Sequence, residues 1–297
     1  MALSALWDVP APAKLNLFLH VTGRRDDGYH LLQSLFVLID WCDVLHFERR
    51  NDAGLARHDL GAVLPPDDLC LRAARLLQAE SGSALGADIT IDKNLPWGAG
   101  LGGGSSDAAS TLLALNRLWG LHWPRGRLAA LALRLGADVP FFVGGHNAWV
   151  EGVGEQLTPM PALPRGWFAV VKPPQGIATQ AIFGHPALPR KTPAATILGS
   201  LEDAGDGIGV LEWAQQVGRN DLQTVAQALI PEVAQAAGWL EARFGNSRMT
   251  GSGSAVFAKA GMDDQPSATL SAAELPPGWV GRMCRSLARH PLVGWAD

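Results

Sequence analysis

The spacing of apolar residues predicts a strand near the start of the chain. Over residues 15–21 every second position, from Leu15 to Val21, is aliphatic, and Lys14 and Asn16 belong to the opposite face. A period of two residues is typical of a strand with one buried face. A lysine at such an alternate position is most often solvated, so the pattern alone gives Lys14 no chemical role.

The middle of the chain predicts a strand, a glycine-rich loop and a helix in succession. Ile89 and Ile91 alternate with polar residues, and apolar residues recur at steps of three and four over residues 108–119, after which Gly120 ends the helix. The segment between them, residues 95–106, contains five glycines. Glycine permits positive φ, and a helix start favours anions, so the segment is predicted to hold a phosphate group.

Two familiar nucleotide-binding motifs do not fit this loop. Residues 98–103 satisfy G-x-G-x-x-G, but no Asp or Glu lies between Asp107 and Asp138 to hold a ribose. The P-loop motif requires a lysine directly before Ser or Thr, and Gly104 occupies that position. A phosphate loop of another type and a flexible turn without a ligand both remain open from the residues alone.

Other segments show the same two periodicities, and residues 51–66 are polar and rich in turn-forming residues. The further predicted elements are helices over residues 68–80 and 128–135, a strand over residues 167–171, a helical region from residue 219 that is broken at Pro231, and a strand over residues 255–260. Pro159, Pro161 and Pro164 predict a domain junction, and hence domains of residues 1–160 and 161–297.

Composition narrows the class of protein. The 297 residues are 47% hydrophobic and 18% charged, as expected for a globular protein long enough for two domains. A net charge of −4 argues against nucleic-acid binding through a broad basic face. The three cysteines form no C-x-x-C pair and are expected to be free thiols. No segment reads as a signal peptide or membrane span, so a cytoplasmic protein is expected.

The loop also resembles a known family. The sequence P-W-G-A-G-L-G-G-G-S-S-D-A-A, from Pro96, resembles the ATP-binding loop of the GHMP kinases. The form G-L-G-G-G-S-S is most similar to the branch that phosphorylates 4-diphosphocytidyl-2-C-methyl-D-erythritol in the non-mevalonate route to isoprenoids. Trp97 stands where a residue such as methionine is expected, and Ala99 replaces a common glycine.

This resemblance implies an α+β fold with two domains. The N-terminal α/β domain would carry the glycine-rich phosphate loop, the C-terminal domain would be ferredoxin-like, and ATP and substrate would bind between them. The implied ATP-binding residues form one continuous segment: Pro96, Trp97, Gly98, Ala99, Gly100, Leu101, Gly102, Gly103, Gly104, Ser105 and Ser106.

Two further motifs imply the catalytic residues. A-P-A-K-L-N-L resembles the opening motif of the same enzymes, which makes Lys14 catalytic and places Asn16 at the substrate. G-A-D-V-P-F-F resembles the segment of the catalytic aspartate, here Asp138, although a residue ahead of Pro140 is also a good helix start. Phosphoryl transfer needs a carboxylate to accept the proton of the attacking hydroxyl, and a nearby lysine would favour its ionised form. Magnesium on the ATP phosphates is implied by the reaction class, without an identifiable protein ligand.

The implied cytidine pocket comes from both halves of the chain. D-G-Y-H supplies Tyr29, whose ring would stack on the base, and His30, which would read its polar edge, and T-Q-A-I-F supplies Thr179 and Phe183. Without the resemblance, Tyr29 and Phe183 are more simply assigned to the core. Stacking on an aromatic ring contributes about 1–3 kcal/mol, enough to favour a cytidine ligand over a bare polyol.

A second glycine segment follows later in the chain. T-G-S-G-S, with Gly251 and Gly253, resembles the family motif that borders the active site, although hairpin glycines explain it equally well.

The predicted activity is ATP-dependent phosphorylation of the 2-hydroxyl of the cytidylyl substrate. One alternative is a GHMP kinase for mevalonate or homoserine. Another is a non-catalytic nucleotide-binding regulator, against which the presence of both Lys14 and Asp138 counts. The expected partner is a small molecule, not a nucleic acid or a membrane, and the chain is expected to be a monomer or a homodimer.

Overall fold

The structure, a computed structural model, describes residues 3–61, 63–160, 163–195, 208–262 and 264–296. Its strands are β1 Ala5–Arg24, β2 His30–Arg50, β3 Leu55–Leu60, β4 Gly86–Asp92, β5 Ala148–Glu151, β6 Gln156–Pro159, β7 Trp167–Lys172, β8 Arg248–Met249, β9 Val256–Gly261 and β10 Val280–Arg285. Its helices are α1 Leu69–Ser81, α2 Gly103–Leu118, α3 Arg125–Leu133, α4 Val139–Gly144, α5 Thr179–Gly184, α6 Ile208–Gln216, α7 Gln223–Leu229 and α8 Pro231–Phe244.

The first sheet is organised around the long strand β2. Strand β1 runs antiparallel along one of its edges, and the other edge pairs with β4 at one end and with β5 at the other. Strand β3 extends the sheet parallel to β4, and β6 extends it antiparallel to β5. Helix α2 packs on β1 and β2 and is flanked by α1, α3 and α4. This layer of helices buries one face of the sheet.

The second sheet is antiparallel throughout and has the strand order β10-β7-β9-β8. Helix α8 packs on β7 and β9. This is the order of a ferredoxin-like β-α-β-β-α-β unit. In the described residues between β9 and β10, the second helix of such a unit is replaced by the 3₁₀ turn Ala272–Glu274.

Residues 11–21 of β1 are buried on both faces of the strand, so the expectation of a solvated face is wrong. Leu15 and Leu17 pack towards Phe168 of the second sheet, while Lys14 and Asn16 on the other face are also buried. The reason is that β1 lies between the helical layer and the second sheet, which the local pattern could not reveal.

Most other predicted elements are confirmed, with two corrections. The predicted strands and helices, including the break at Pro231, lie close to their expected positions. Helix α2, however, begins at Gly103 and not near residue 108, so the last glycines of the loop form its first turn. The turn-rich stretch contains the edge strand β3, where Arg57 is paired with Asp59 and Asp68. Pro161 of the predicted junction lies outside the described residues.

The three cysteines are free thiols, as expected. None of the helices in the described ranges is both long and apolar enough to cross a membrane.

The edge of β1 that faces away from β2 pairs with two glycine-rich loops. The backbone N–H of Lys14 donates to the carbonyl of Leu101 at 2.9 Å, and that of Asn16 donates to Oγ1 of Thr250 at 2.9 Å. Leu101 belongs to the first glycine loop, residues 95–102, and Thr250 opens the second glycine loop, residues 250–254. One strand edge therefore fixes both loops.

The two glycine loops also contact each other through their backbones. The N–H of Ser254 donates to the carbonyl of Gly98 at 3.0 Å. Gly100 has a φ of 74°, and a β-carbon there would lie 2.2 Å from the carbonyl oxygen of Thr250. Glycine at this position is required both by the left-handed backbone and by the close approach of the second loop.

We expect Gly100→Ala to lower the free energy of unfolding by at least about 1–3 kcal/mol, because alanine strains the backbone and separates the loops. Gly104→Ala is the matched control. Gly104 lies in α2, where a β-carbon would meet Leu69 Cδ1 at an ordinary 3.6 Å, so alanine should leave stability unchanged or raise it by up to about 1 kcal/mol. Urea unfolding followed by circular dichroism tests this. Equal stability of the two variants would contradict the proposed contact between the loops.

Candidate active site

A cleft of about 690 Å³ is lined by both halves of the chain. Most of the residues singled out from the sequence meet there. The cleft walls include Lys14, Asn16, residues 96–105 of the first glycine loop and α2, Asp138, Thr179, Phe183 and residues 251–253 of the second glycine loop.

Lys14 and Asp138 face each other across this cleft. The Nζ of Lys14 lies 3.7 Å from Oδ2 of Asp138, with side-chain exposures of 4% and 33%. Asp138 occupies the N-cap position of α4, but its side chain makes no capping hydrogen bond. The carboxylate is therefore directed to the lysine and the open cleft, which argues against a purely helix-starting role.

The ammonium of Lys14 is held in a nearly dry environment. It donates to Oδ1 of Asn16 and lies 4.9 Å from the ring centre of Phe36. Burial lowers the pKa of Lys14 below its usual 10.5, and the charge of Asp138 opposes this shift. Asn16 is itself fixed, because its Nδ2 donates to Ser34 Oγ at 2.9 Å. These contacts leave the lysine little freedom to move.

The start of α2 forms a cradle for an anion. Its N-cap is Gly102, which has no side chain to cap the helix, and the N–H groups of Gly103, Gly104 and Ser105 lack intrahelical partners. The N–H of Ser106 already donates to the carbonyl of Gly102 at 2.9 Å. Unpaired N–H groups together with the helix dipole favour a phosphate at this position.

The side chains of the predicted ATP-binding segment have different environments. Ala99 and Leu101 are buried in the core and anchor the loop. Ser106 is fully buried, is absent from the cleft wall, and its Oγ has no hydrogen-bond partner among the described residues. Trp97 is 61% exposed at the cleft. The segment thus offers backbone groups and one large exposed ring to a ligand.

A buried charge cluster holds both ends of the first glycine loop, and the sequence reasoning missed it. Asp43 accepts hydrogen bonds from the N–H of Leu95 at 2.7 Å and from Lys93, which also donates to Asp107 of α2 at 2.7 Å. Burial, with Asp43 adding to it and Lys93 opposing it, raises the pKa of Asp107 to about 8. The only signal in the sequence was the position of two charged residues, Lys93 before the glycine segment and Asp107 after it.

The four residues predicted to surround a cytidine are only partly brought together. Thr179 and Phe183 line the cleft, and Thr179 Oγ1 lies 2.9 Å from Oγ of Ser252 in the second glycine loop. His30 is not on the cleft wall, but its ring stacks on Phe183 with a centroid distance of 5.0 Å and an angle of 28°. Tyr29 is 64% exposed in the turn between β1 and β2. Its assignment to the core is therefore wrong.

Other cleft residues carried no recognisable signal. In β2, Ser34 bonds to Asn16 and the ring of Phe36 faces Lys14. Another part of the wall is formed by Leu64, Pro65, Asp67, Asp68 and Leu69. Their neighbours are distant in sequence, so only the folded chain reveals them.

Comparison with known proteins places the chain in a family. Residues 68–146 match the family described as GHMP kinases N terminal domain, and residues 194–273 match GHMP kinases C terminal. The chain is 67% identical, over the full length of both proteins, to the 4-diphosphocytidyl-2-C-methyl-D-erythritol kinase of Methylibium petroleiphilum. It is 55% identical to the protein of the same name from Variovorax paradoxus, over 99% of this chain and 100% of that protein.

Solved structures agree with this assignment. A crystal structure of 4-(cytidine 5'-diphospho)-2C-methyl-D-erythritol kinase is 37% identical, with a TM-score of 0.70 over 87% of this chain and 90% of that one. Homoserine kinase from Cytophaga hutchinsonii is 17% identical, with a TM-score of 0.67 over 98% of this chain and 96% of that one. The second likeness shows the fold alone. The predicted family and two-domain α+β fold are confirmed, and the chain is a member of the GHMP kinase family.

Proposed function

We propose that this kinase transfers the γ-phosphoryl group of ATP to the 2-hydroxyl of 4-diphosphocytidyl-2-C-methyl-D-erythritol. The observation that carries the proposal is the pairing of Lys14 with Asp138 at 3.7 Å beside the first glycine loop. The substrate is suggested by relatives that bear this substrate's name and align along the full chain. Likeness to homoserine and mevalonate kinases at 17% identity or less supports only a shared fold.

ATP is proposed to bind along residues 96–106, with its phosphates at the start of α2. The unpaired N–H groups of Gly103 and Gly104 support this position for the anion. The adenine would stack on the exposed ring of Trp97, which stands where a residue such as methionine is expected. The side chain of Ser106 lies inside the core, so this residue would support the loop from beneath.

Asp138 is proposed to accept the proton of the attacking hydroxyl. Its carboxylate is open to the cleft, while Lys14 supplies a fixed positive charge on its buried side. Proton acceptance in the transition state contributes about 10²–10⁴-fold in rate. The remaining acceleration is expected from positioning and from the charge of Lys14, as in other phosphoryl transfers.

Magnesium is proposed to accompany the nucleotide. Across the described ranges, no three acidic, histidine or cysteine side chains converge. Magnesium held mainly by phosphate oxygens and water needs only one or two protein oxygens. Asp107 is on the cleft wall at the start of α2, and its buried Oδ1 has no hydrogen-bond partner among the described residues. Asp107 would hold the ion, whose charge would offset that of the phosphates.

The cytidylyl group is proposed to bind at the Phe183 end of the cleft, with Asn16 and Thr179 contributing polar contacts. Phe183 and Thr179 lie on the cleft wall, and His30 stacks behind Phe183. The exposed ring of Tyr29 is free to stack on a base. We further propose that the domains divide between residues 160 and 161, because the chain passes there from the first sheet to the second.

The location and the assembly of the enzyme are also proposals. Free cysteines fit a reducing compartment, which supports a cytoplasmic enzyme. Whether it acts as a monomer or as a homodimer is left to measurement of its mass in solution.

Substrate choice is tested by ADP release with three acceptors. We expect turnover with 4-diphosphocytidyl-2-C-methyl-D-erythritol and none above background with mevalonate or homoserine, because neither of these has a base to occupy the aromatic end of the cleft. Equal or better turnover of mevalonate or homoserine would contradict the proposed substrate. Failure to release ADP with any of them would favour a non-catalytic regulator.

Asp138→Asn should lower kcat by about 10²–10⁴-fold, because the amide cannot accept the proton. The affinity for a non-hydrolysable ATP analogue, measured by calorimetry, should change little. Asp264→Asn is a control, since this carboxylate is 99% exposed and, within the described ranges, its ion pair is with Arg285. Full activity in Asp138→Asn would remove the proposed base.

The pH profile tests the charge of Lys14. Because burial lowers the pKa of Lys14 below 10.5, its positive charge is present at low pH and is lost at a lower pH than for a free lysine. We expect kcat/KM to fall on the alkaline side accordingly. In Lys14→Arg the cation persists, so whatever activity remains should lack this alkaline limb. If the wild type and Lys14→Arg show the same alkaline fall in kcat/KM, a group other than Lys14 causes it.

A further inference from the structure

Arg190 connects the two stacked rings at the substrate end of the cleft. Its Nε donates to Nε2 of His30 at 3.3 Å, and one of its terminal nitrogens donates to the carbonyls of Phe183 at 3.4 Å and His185 at 2.8 Å. The carbonyls lie at the end of α5, where a positive charge is favourable. One arginine therefore fixes both the helix that carries Phe183 and the ring that stacks on it.

This contact determines which nitrogen of His30 carries the hydrogen. A guanidinium group only donates hydrogen bonds, so Nε2 of His30 must be the accepting, unprotonated nitrogen. In a neutral imidazole the hydrogen then lies on Nδ1, because the bond made by one nitrogen sets the state of the other. Nδ1 has no hydrogen-bond partner among the described residues, which leaves it available to a ligand.

The neutral form of the ring is also favoured. Burial, followed by the positive charges of Arg190 and Arg24, lowers the pKa of His30. A doubly protonated ring would lose the hydrogen bond from Arg190, since it would have no accepting nitrogen. His30 is thus a donor through Nδ1 alone.

We propose that Arg190 is a positioning residue for base selectivity: it fixes His30 as an Nδ1–H donor that matches the accepting N3 of cytosine and rejects the N3–H of uracil. The inference rests on the proposed function, and it takes for His30 the role that the family resemblance implies, which is to read the polar edge of the cytidylyl base. It adds a residue outside the motifs and a reason for discrimination between two pyrimidines.

The discrimination follows from hydrogen-bond matching. Cytosine presents acceptors at N3 and O2, whereas uracil presents a donor at N3. Two donors that face each other in a cleft are both left unpaired, which costs more than the loss of a hydrogen bond in water. A site built around a fixed donor therefore rejects the mismatched base by repulsion as well as by lost attraction.

The kinetic test compares kcat/KM for the diphosphocytidyl substrate and its diphosphouridyl analogue. Arg190→Met removes the donor to His30 and allows the other tautomer. We expect the cytidylyl preference to narrow by at least about tenfold, mainly through a changed KM. Arg190→Lys keeps a donor and should retain most of the preference.

Arg243→Met is the matched control. Arg243 also donates to a backbone carbonyl, that of Thr269, and it pairs with Glu274, but no histidine is among its partners in the described part of the chain. Arg243→Met should leave the ratio of kcat/KM between the two substrates unchanged. If Arg190→Met lowers kcat/KM for both substrates by the same factor, Arg190 has only a structural role and the proposal is overturned.

A second readout does not depend on turnover. Long-range ¹⁵N–¹H spectra of the histidine rings report the tautomer, and the signals of His30 among the eight histidines are assigned by their loss in His30→Gln. We expect an unprotonated Nε2 in the wild type and a changed tautomer population in Arg190→Met. A protonated Nε2 in the wild type would overturn the inference. Absence of turnover with either substrate would instead contradict the proposed function, and the spectra would still decide the tautomer.

Discussion

The site depends on the outer edge of strand β1, which pairs with loops where the cleft forms. The N–H groups of Lys14 and Asn16 hold the first and second glycine loops, and the two loops meet where Gly100 approaches Thr250. Groups that are far apart in sequence are thereby fixed relative to one short stretch of backbone. A β-carbon at the meeting point would separate the loops, so the geometry of the cradle and the position of the lysine are coupled.

Burial of Lys14 has an electrostatic cost. A nearly inaccessible ammonium loses its hydration, and the compensation comes from Asp138, Asn16 and the face of the Phe36 ring. A cation held in this way needs no rearrangement when negative charge approaches it, which is the condition for electrostatic stabilisation of a phosphoryl group. The partly exposed carboxylate beside it remains reachable from the cleft.

The sequence predicted the chemistry of the site better than its packing. Periodicity and glycine content located the strand, loop and helix around the phosphate cradle, and the family resemblance pointed to Lys14 and Asp138. Local patterns could not show that both faces of β1 are covered, that α2 starts inside the glycine segment, or that Ser106 points into the core. Each of these depends on pairing between distant segments. The contact of Arg190 with His30, across 160 residues, had no signal in the sequence for the same reason.

The most direct test of the account is a crystal structure with a non-hydrolysable ATP analogue and the cytidylyl substrate bound together. The account predicts the terminal phosphate at the first turn of α2 and the acceptor hydroxyl within hydrogen-bond distance of Asp138, with Lys14 beside both. Phosphates bound away from the first glycine loop, or an Asp138 side chain turned away from the hydroxyl, would contradict it.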